Sequence, residues 1–202
     1  RKDFALSLAQ YCNDVGIIPA MLSNGLLLTP NVALELKDAG VKAVGIPIDS
    51  VVPEQHDKLR NMQGTFQKAV ASIKACIELD LEVVVTTMAL KDTVDEMPKR
   101  IEFMASLGVD QVAVYDLIPV GRGKDIMQQA MSQEQRVKLI YYLQRLQEDK
   151  EMVFTMSGGQ PLYPEIAYKI HERQGTRPKD LLLKEFWIHN AVGCHAGLSY
   201  FS

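Results

Sequence analysis

Four polar stretches each follow a short apolar run in this sequence: Ser23-Asn24-Gly25, Asp49-Ser50, Thr86-Thr87, and Asp116 ahead of Pro119. Runs of this length and apolarity, ended by turn residues, fit buried strands. Polar groups at the carboxyl ends of parallel strands are where α/β folds hold ligands. Singly, each stretch also reads as a turn or a cap; four on one rim favour a small-molecule pocket. Directly after the Asp49 run comes His56-Asp57-Lys58-Leu59-Arg60. An arginine there can grip a ligand carboxylate at two points, or form a local ion pair on a solvated loop. Arg122, between Gly121 and Gly123, has the same two readings.

Three cysteines, Cys12, Cys76 and Cys194, are far apart and odd in number, which argues against a disulfide framework and for a reducing cytosol. Cys12 and Cys76 fall within apolar helical patterns and read as small buried hydrophobes. Cys194 differs, because Val192-Gly193-Cys194-His195-Ala196-Gly197 leaves backbone close to the sulfur. A thiolate in such a loop suits a metal or an iron–sulfur cluster, although one cysteine cannot hold a cluster. His189 and His195 read as surface residues. No GxGxxG, GxxxxGK[ST], HExxH or paired-cysteine motif occurs, which weakens dinucleotide, nucleotide-hydrolase and zinc readings. Gly158-Gly159 reads as a turn.

The net charge of −3 gives no electrostatic case for nucleic acid or an acidic membrane face. No apolar run approaches the roughly 20 residues that span a bilayer. Arg1-Lys2-Asp3 is not a signal peptide, and the missing initiator Met suggests a piece of a longer chain. The 202 residues, 47% hydrophobic, suit one domain with a sizeable core.

The elements that must carry these residues alternate. Lys2 to Val15 reads as a helix with Phe4, Leu8 and Tyr11 on one face and Gly16 as its stop. Ile17 to Leu22 reads as a strand. A helix follows, with Thr29 as N-cap, Pro30 at its first position, Leu34, Leu36 and Ala39 as its apolar positions, and Gly40 at its end. Val44 to Ile48 is the next strand, and residues 51–64 read as a loop or short turn of helix. Thr65 to Leu79 is a helix and Leu81 to Thr87 a central strand. Thr93 to Leu107 is a helix with Val94, Met97, Ile101, Met104 and Ala105 inward. Gln111 to Ile118 is a strand, and 119–123 a tight turn. Ser132 caps a helix to Glu148, with Gln135 at the capping-box spacing. Met152 to Met156 is a last strand. Helix and strand in alternation predict an α/β fold with a parallel sheet. Periodicity does not choose between a doubly wound sheet and a full or partial barrel. From Pro161 the pattern loosens. Residues 1–160 form the core, and 161–202 read as a C-terminal extension leading into a truncated further domain.

Taken in order, these pieces resemble the radical S-adenosylmethionine (radical SAM) enzymes. Ser23-Asn24-Gly25 resembles their Thr-Asn-Gly element, and Pro47-Ile48-Asp49-Ser50 their Ser-Leu-Asp-Gly element. His56-Asp57, Arg60, Gly64 and Phe66 resemble the stretch that comes next. Leu107-Gly108-Val109-Asp110 and Pro119-Val120-Gly121-Arg122-Gly123 resemble a later strand and turn. Gly193-Cys194-His195-Ala196-Gly197 resembles the start of the SPASM extension. The resemblance implies a partial (β/α)6 barrel, here without its first strands. It also implies S-adenosylmethionine and a [4Fe–4S] cluster held by a CxxxCxxC loop. That loop is absent here, as is the Gly-Gly-Glu-Pro segment, and both would precede Arg1.

By resemblance, Asn24, Asp49 and Thr87 belong to the cofactor rim and Arg60 to the methionine carboxylate. Backbone at Leu117 and Ile118 would face adenine. Pro47 stands in place of serine, which leaves Asp49 as the ribose candidate. Cys194 would be the first ligand of an auxiliary iron–sulfur cluster. The implied activity is reductive cleavage to a 5′-deoxyadenosyl radical, in peptide modification or cofactor and haem maturation. Its partners would be a small-molecule or peptide substrate and an electron donor such as ferredoxin or flavodoxin, in the cytoplasm. The fragment without cluster cysteines is expected to be inactive alone. Two other readings stay open: an ordinary (β/α)-barrel lyase or aldolase, disfavoured because Lys91 and Lys124 lie in loops, and a non-catalytic α/β binding domain.

Overall fold

Thr29 begins its helix as expected: its hydroxyl accepts from the Val32 amide, and Pro30 occupies the first helical position. The computed structural model describes residues 2–118, 121–149 and 152–157. In chain order these form α1 (Lys2–Asp14), β1 (Ala20–Leu22), α2 (Pro30–Asp38), β2 (Ala43–Pro47), α3 (Pro53–Arg60) and α4 (Thr65–Glu78). They continue with β3 (Glu82–Ala89), α5 (Met97–Ser106), β4 (Gln111–Asp116), α6 (Gln133–Asp149) and β5 (Val153–Ser157). Short 3-10 turns cover Val94–Glu96 and Gly121–Gln129.

The five strands lie parallel in one sheet, in the order β1-β2-β3-β4-β5. A doubly wound sheet reverses direction at a switch point, and this order never does. It is the singly wound order of (β/α) barrels, which decides the point that periodicity left open.

The described residues group into two compact units, one up to Thr87 together with Glu96–Val112, the other Met88–Asp95 with the residues from Ala113 onward. In the first, register pairs Met21 with Val44 and Val83, and Leu22 with Gly45 and Val84. The row of Val44, Ile46, Val83 and Val85 is buried, with α4 packed on β2. On the opposite face Leu22 is 77% exposed, and Val84 and Thr86 are half-buried. Gly45 lets the Leu22 side chain lie flat there, since a Cβ at 45 would meet Leu22 Cδ2 at 2.3 Å. In the second unit α6 packs on β5, with Leu139, Ile140, Phe154 and Met156 buried. Ser132 and Gln135 form the expected reciprocal capping box.

Several expectations are corrected. Of the loop or short turn of helix expected over 51–64, residues 53–60 form the helix, eight residues long, because Pro53 pre-sets the first turn and Asn61, at φ 52°, closes the last. The first strand shrinks to three residues, since Pro19 ahead of it supplies only a carbonyl, which takes the Lys42 amide. The apolar face of α1 is largely exposed, with Phe4 73% and Tyr11 63% accessible. Ala105 is exposed, not inward; Met97, Arg100, Ile101 and Met104 form the buried side of α5. Cys76 is buried as expected, and burial pushes its thiol up to about 11, whereas Cys12 is half-buried. The extension from 161 lies outside the described residues. Among the described residues no helix is long and apolar enough to cross a membrane.

Candidate functional site

β2 ends in a short buried loop that carries the polar groups. The Ile48 amide donates to the Thr86 carbonyl. The next amide, of Asp49, donates to His56 Nδ1 at 3.1 Å. The Asp49 side chain is only 4% exposed, and its Oδ2 accepts from Arg60 Nε at 2.7 Å and lies 2.5 Å from Arg60 Nη2. This is a charge-assisted, two-point contact. Its donor and His56 lie four residues apart, on one face of α3. Ser50 Oγ donates to Gln55 Oε1 and accepts the Val52 amide, which ties the loop to the start of the helix.

α3 is itself held in place. Asp57 accepts from the Gly64 amide at 2.5 Å, the Thr65 hydroxyl at 2.7 Å and the Phe66 amide at 2.9 Å, joining α3 to the first turn of α4. The Thr65 bond, ahead of the two amides, holds the Asp57 carboxyl below the usual carboxylate range. Phe66 meets the His56 ring edge-on at 5.8 Å and stacks on Phe103 of α5 at 5.7 Å. His56 is 1% exposed. Burial holds its ring below the usual 6.5, while the Asp49 charge pushes the other way.

That burial has a consequence for stability. The unfolded chain takes up a proton at this ring near pH 6.5, and the folded protein resists it until lower pH. The contribution is complete above about pH 6.5. It is expected to fall as pH drops below that value and to level off once the folded ring titrates. Urea midpoints between about pH 8 and pH 5 measure it, and a midpoint that rises toward acid would contradict it.

The other sequence-derived residues are placed as follows. Asn24 is exposed, and its Oδ1 accepts the Leu26 amide within its own turn. The Ser23 amide donates to the Gly45 carbonyl, so this loop continues the β1 edge of β2. Asp49 and Arg60 are brought together. Thr87 is not with them: it follows Val83 and Val85 on the helix-covered face and is 1% exposed. Its hydroxyl is 3.4 Å from Arg100 Nη1 of α5.

In the second unit, Leu117 is buried and Ile118 half-exposed. Gly123 folds back on them so closely that a Cβ would stand 2.7 Å from the Ile118 carbonyl oxygen. Asp116 is held by Arg136 of α6. Cys194, His189 and His195 lie outside the described residues, as does the Arg122 side chain. Among the described residues no three His, Cys, Asp or Glu side chains converge to hold a metal.

The residue that reasoning from sequence passed over is Arg100, which is fully buried and reaches both Thr87 and Glu96. Its signal was present: an arginine on the stripe of Met97, Ile101 and Met104. Burial pulls its guanidinium below the usual range, against Glu96 and the Asp49 charge.

A family model described as the radical SAM superfamily matches residues 1–104. The AdoMet-dependent heme synthase of Methanosarcina barkeri is 30% identical over 135 residues, 67% of this chain and 39% of that protein. The Fe-coproporphyrin III synthase of the same organism is 28% identical over 135 residues, 67% of this chain and 33% of that protein. The chain thus spans well under half the length of these curated relatives. Among solved structures, Streptococcus suis SuiB bound to the precursor peptide SuiA matches with a TM-score of 0.65 at 14% identity, over 80% of this chain and 37% of that one. At that identity the likeness concerns the fold.

Proposed function

Because the chain belongs to the radical SAM superfamily, we propose that it is the cofactor-holding part of an enzyme that cleaves S-adenosylmethionine reductively to abstract a substrate hydrogen. The observation that carries this reading is the Asp49 carboxylate, presented after β2 and gripped by Arg60 at 2.5 and 2.7 Å. An ionised carboxylate accepts both hydroxyls of a ribose diol. Arg60 retains donors beyond the two atoms turned to Asp49, and its side chain is 36% exposed, which fits a ligand carboxylate beside the ribose. Asn24, at the exposed end of β1, is assigned to the same rim.

The described residues fit the nucleoside and not an iron–sulfur cluster, so nothing in their chemistry is derived from one. When bound, the cofactor supplies the radical. These residues orient it and limit access of water. Cys194 is proposed as the first ligand of an auxiliary cluster in a SPASM-type extension. Its support is the sequence Gly193-Cys194-His195-Ala196-Gly197 alone.

The relatives' names favour a tetrapyrrole precursor as substrate, with haem maturation as the process. A precursor peptide is the second reading, favoured by the SuiB complex. A one-electron donor of the ferredoxin or flavodoxin type and a cytoplasmic setting complete the proposal, the latter because the cysteines suit a reducing compartment.

Anaerobic reconstitution of the complete protein carrying this chain, with iron and sulfide, tests the reading. A brown product that binds S-adenosylmethionine is expected; a colourless one would remove it. Asp49→Ala should weaken cofactor binding by about tenfold or more, the worth of a buried charged acceptor. Unchanged affinity would end the assignment of Asp49.

A further inference from the structure

We propose that His56 is a positioning residue of the cofactor rim: its Nδ1 takes the Asp49 amide and so sets the backbone from which the Asp49 carboxylate meets the ligand. The inference rests on the reading of Asp49 as a cofactor contact. It adds that α3 grips this one residue twice, by backbone through His56 at 3.1 Å and by side chain through Arg60 at 2.7 Å.

The geometry makes the backbone grip more than local packing. The strand β2 ends at Pro47, and the Ile48 amide goes to the Thr86 carbonyl. Beyond that point the direction of the chain is set by whatever the following amides bond. Asp49 bonds His56, and both residues are almost wholly buried. The ring is fixed in turn, because Phe66 lies against its edge and is stacked on Phe103. Asp57, the next residue on α3, is tied to the first turn of α4 by three bonds. A ring so held cannot follow a displaced Asp49. The loop must come to it.

Accepting at Nδ1 requires that nitrogen to be unprotonated, so the proton of the neutral ring is on Nε2. An imidazolium would present a second N–H where the Asp49 amide already donates, and the bond would be lost. The charged groups facing the ring are Asp49 and Asp57, which favour its protonation, and Arg60, which opposes it together with burial. Phe66 is apolar. The rim therefore has a built-in acid limit, reached when the ring charges.

The test uses the complete protein, with equilibrium binding of S-adenosylmethionine as readout and urea midpoints as the check on folding. His56→Leu fills the space but offers no acceptor, and should weaken binding by about tenfold. In His56→Asn the side-chain oxygen can stand where Nδ1 stands, and binding should return to within about threefold of wild type. Wild-type binding should hold through the ordinary imidazole range and weaken only at lower pH, where the buried ring takes up its proton, while His56→Asn should lack that step. Wild-type affinity in His56→Leu, alongside weakened binding in Asp49→Ala, would overturn the role of His56 and leave the rim standing. Wild-type affinity in both variants would overturn the rim reading itself. If His56→Leu does not fold, the pH series on wild type and His56→Asn decides alone, and parallel profiles would overturn the proposal.

Discussion

Arg100→Ala is expected to lower the free energy of unfolding by about 3–5 kcal/mol, and Arg100→Met by about 1–3 kcal/mol, the lost donor without the cavity. The Arg100 side chain is wholly buried, on the same side of α5 as Met97, Ile101 and Met104. Its contacts with Thr87 and with Glu96 are both 3.4 Å, long for charge-assisted bonds. Glu96 is 35% exposed on its side chain and turns to water if the guanidinium goes. Both variants take the donor from the buried Thr87 and end the contact with Glu96. Alanine also removes most of the side-chain volume and leaves a cavity, which methionine refills. Urea unfolding of the two variants separates the terms. If methionine costs as much as alanine, the charge rather than the volume supports the fold.

The same residue shows where reading the sequence succeeds and where it stops. Caps, glycine stops and β-branched runs are local signals, so Thr29, Ser132 with Gln135, and the strand of Glu82–Ala89 were legible from residue types and spacing alone. Helix α3 was legible only as a loop or a short turn of helix. Half of Pro53–Arg60 is charged, with no apolar face, because it is held by polar bonds from Asp57 and Asp49 rather than by a hydrophobic stripe. Periodicity cannot see a helix of that kind.

The rim divides along the same line. Asp49 and Arg60 were each legible as ligand-type residues, but their mutual contact was not, since it depends on how α3 folds back over the end of β2. Thr87 reads as a strand end in the sequence, yet β3 runs on to Ala89, and strand alternation turns Thr87 to the helix side with Val83 and Val85. A polar residue at a strand end is thus half a prediction; the face it points to is the other half.

The loop that carries Asn24 should be the least forgiving part of that rim. Gly25 has φ +76°, and a Cβ built on it would stand 3.1 Å from the Ala69 Cα and 3.4 Å from Ile46 Cγ2. The first neighbour is backbone of α4 and cannot turn aside. Nor can the loop lift away cheaply, because the Ser72 hydroxyl of α4 lies 2.7 Å from the Gly25 carbonyl and 2.9 Å from that of Leu28. Gly25→Ala therefore meets two costs together, left-handed strain of about 1–2 kcal/mol and overpacking of about 1–3 kcal/mol. Gly64 has the same φ of +76° with nothing within 4 Å of the added carbon, so Gly64→Ala should show the strain alone. Denaturant midpoints of the two variants, measured side by side, isolate the packing part. If Gly25→Ala is no worse than Gly64→Ala, the loop is free of α4, and Asn24 is not held at the rim by the contacts that make this edge rigid.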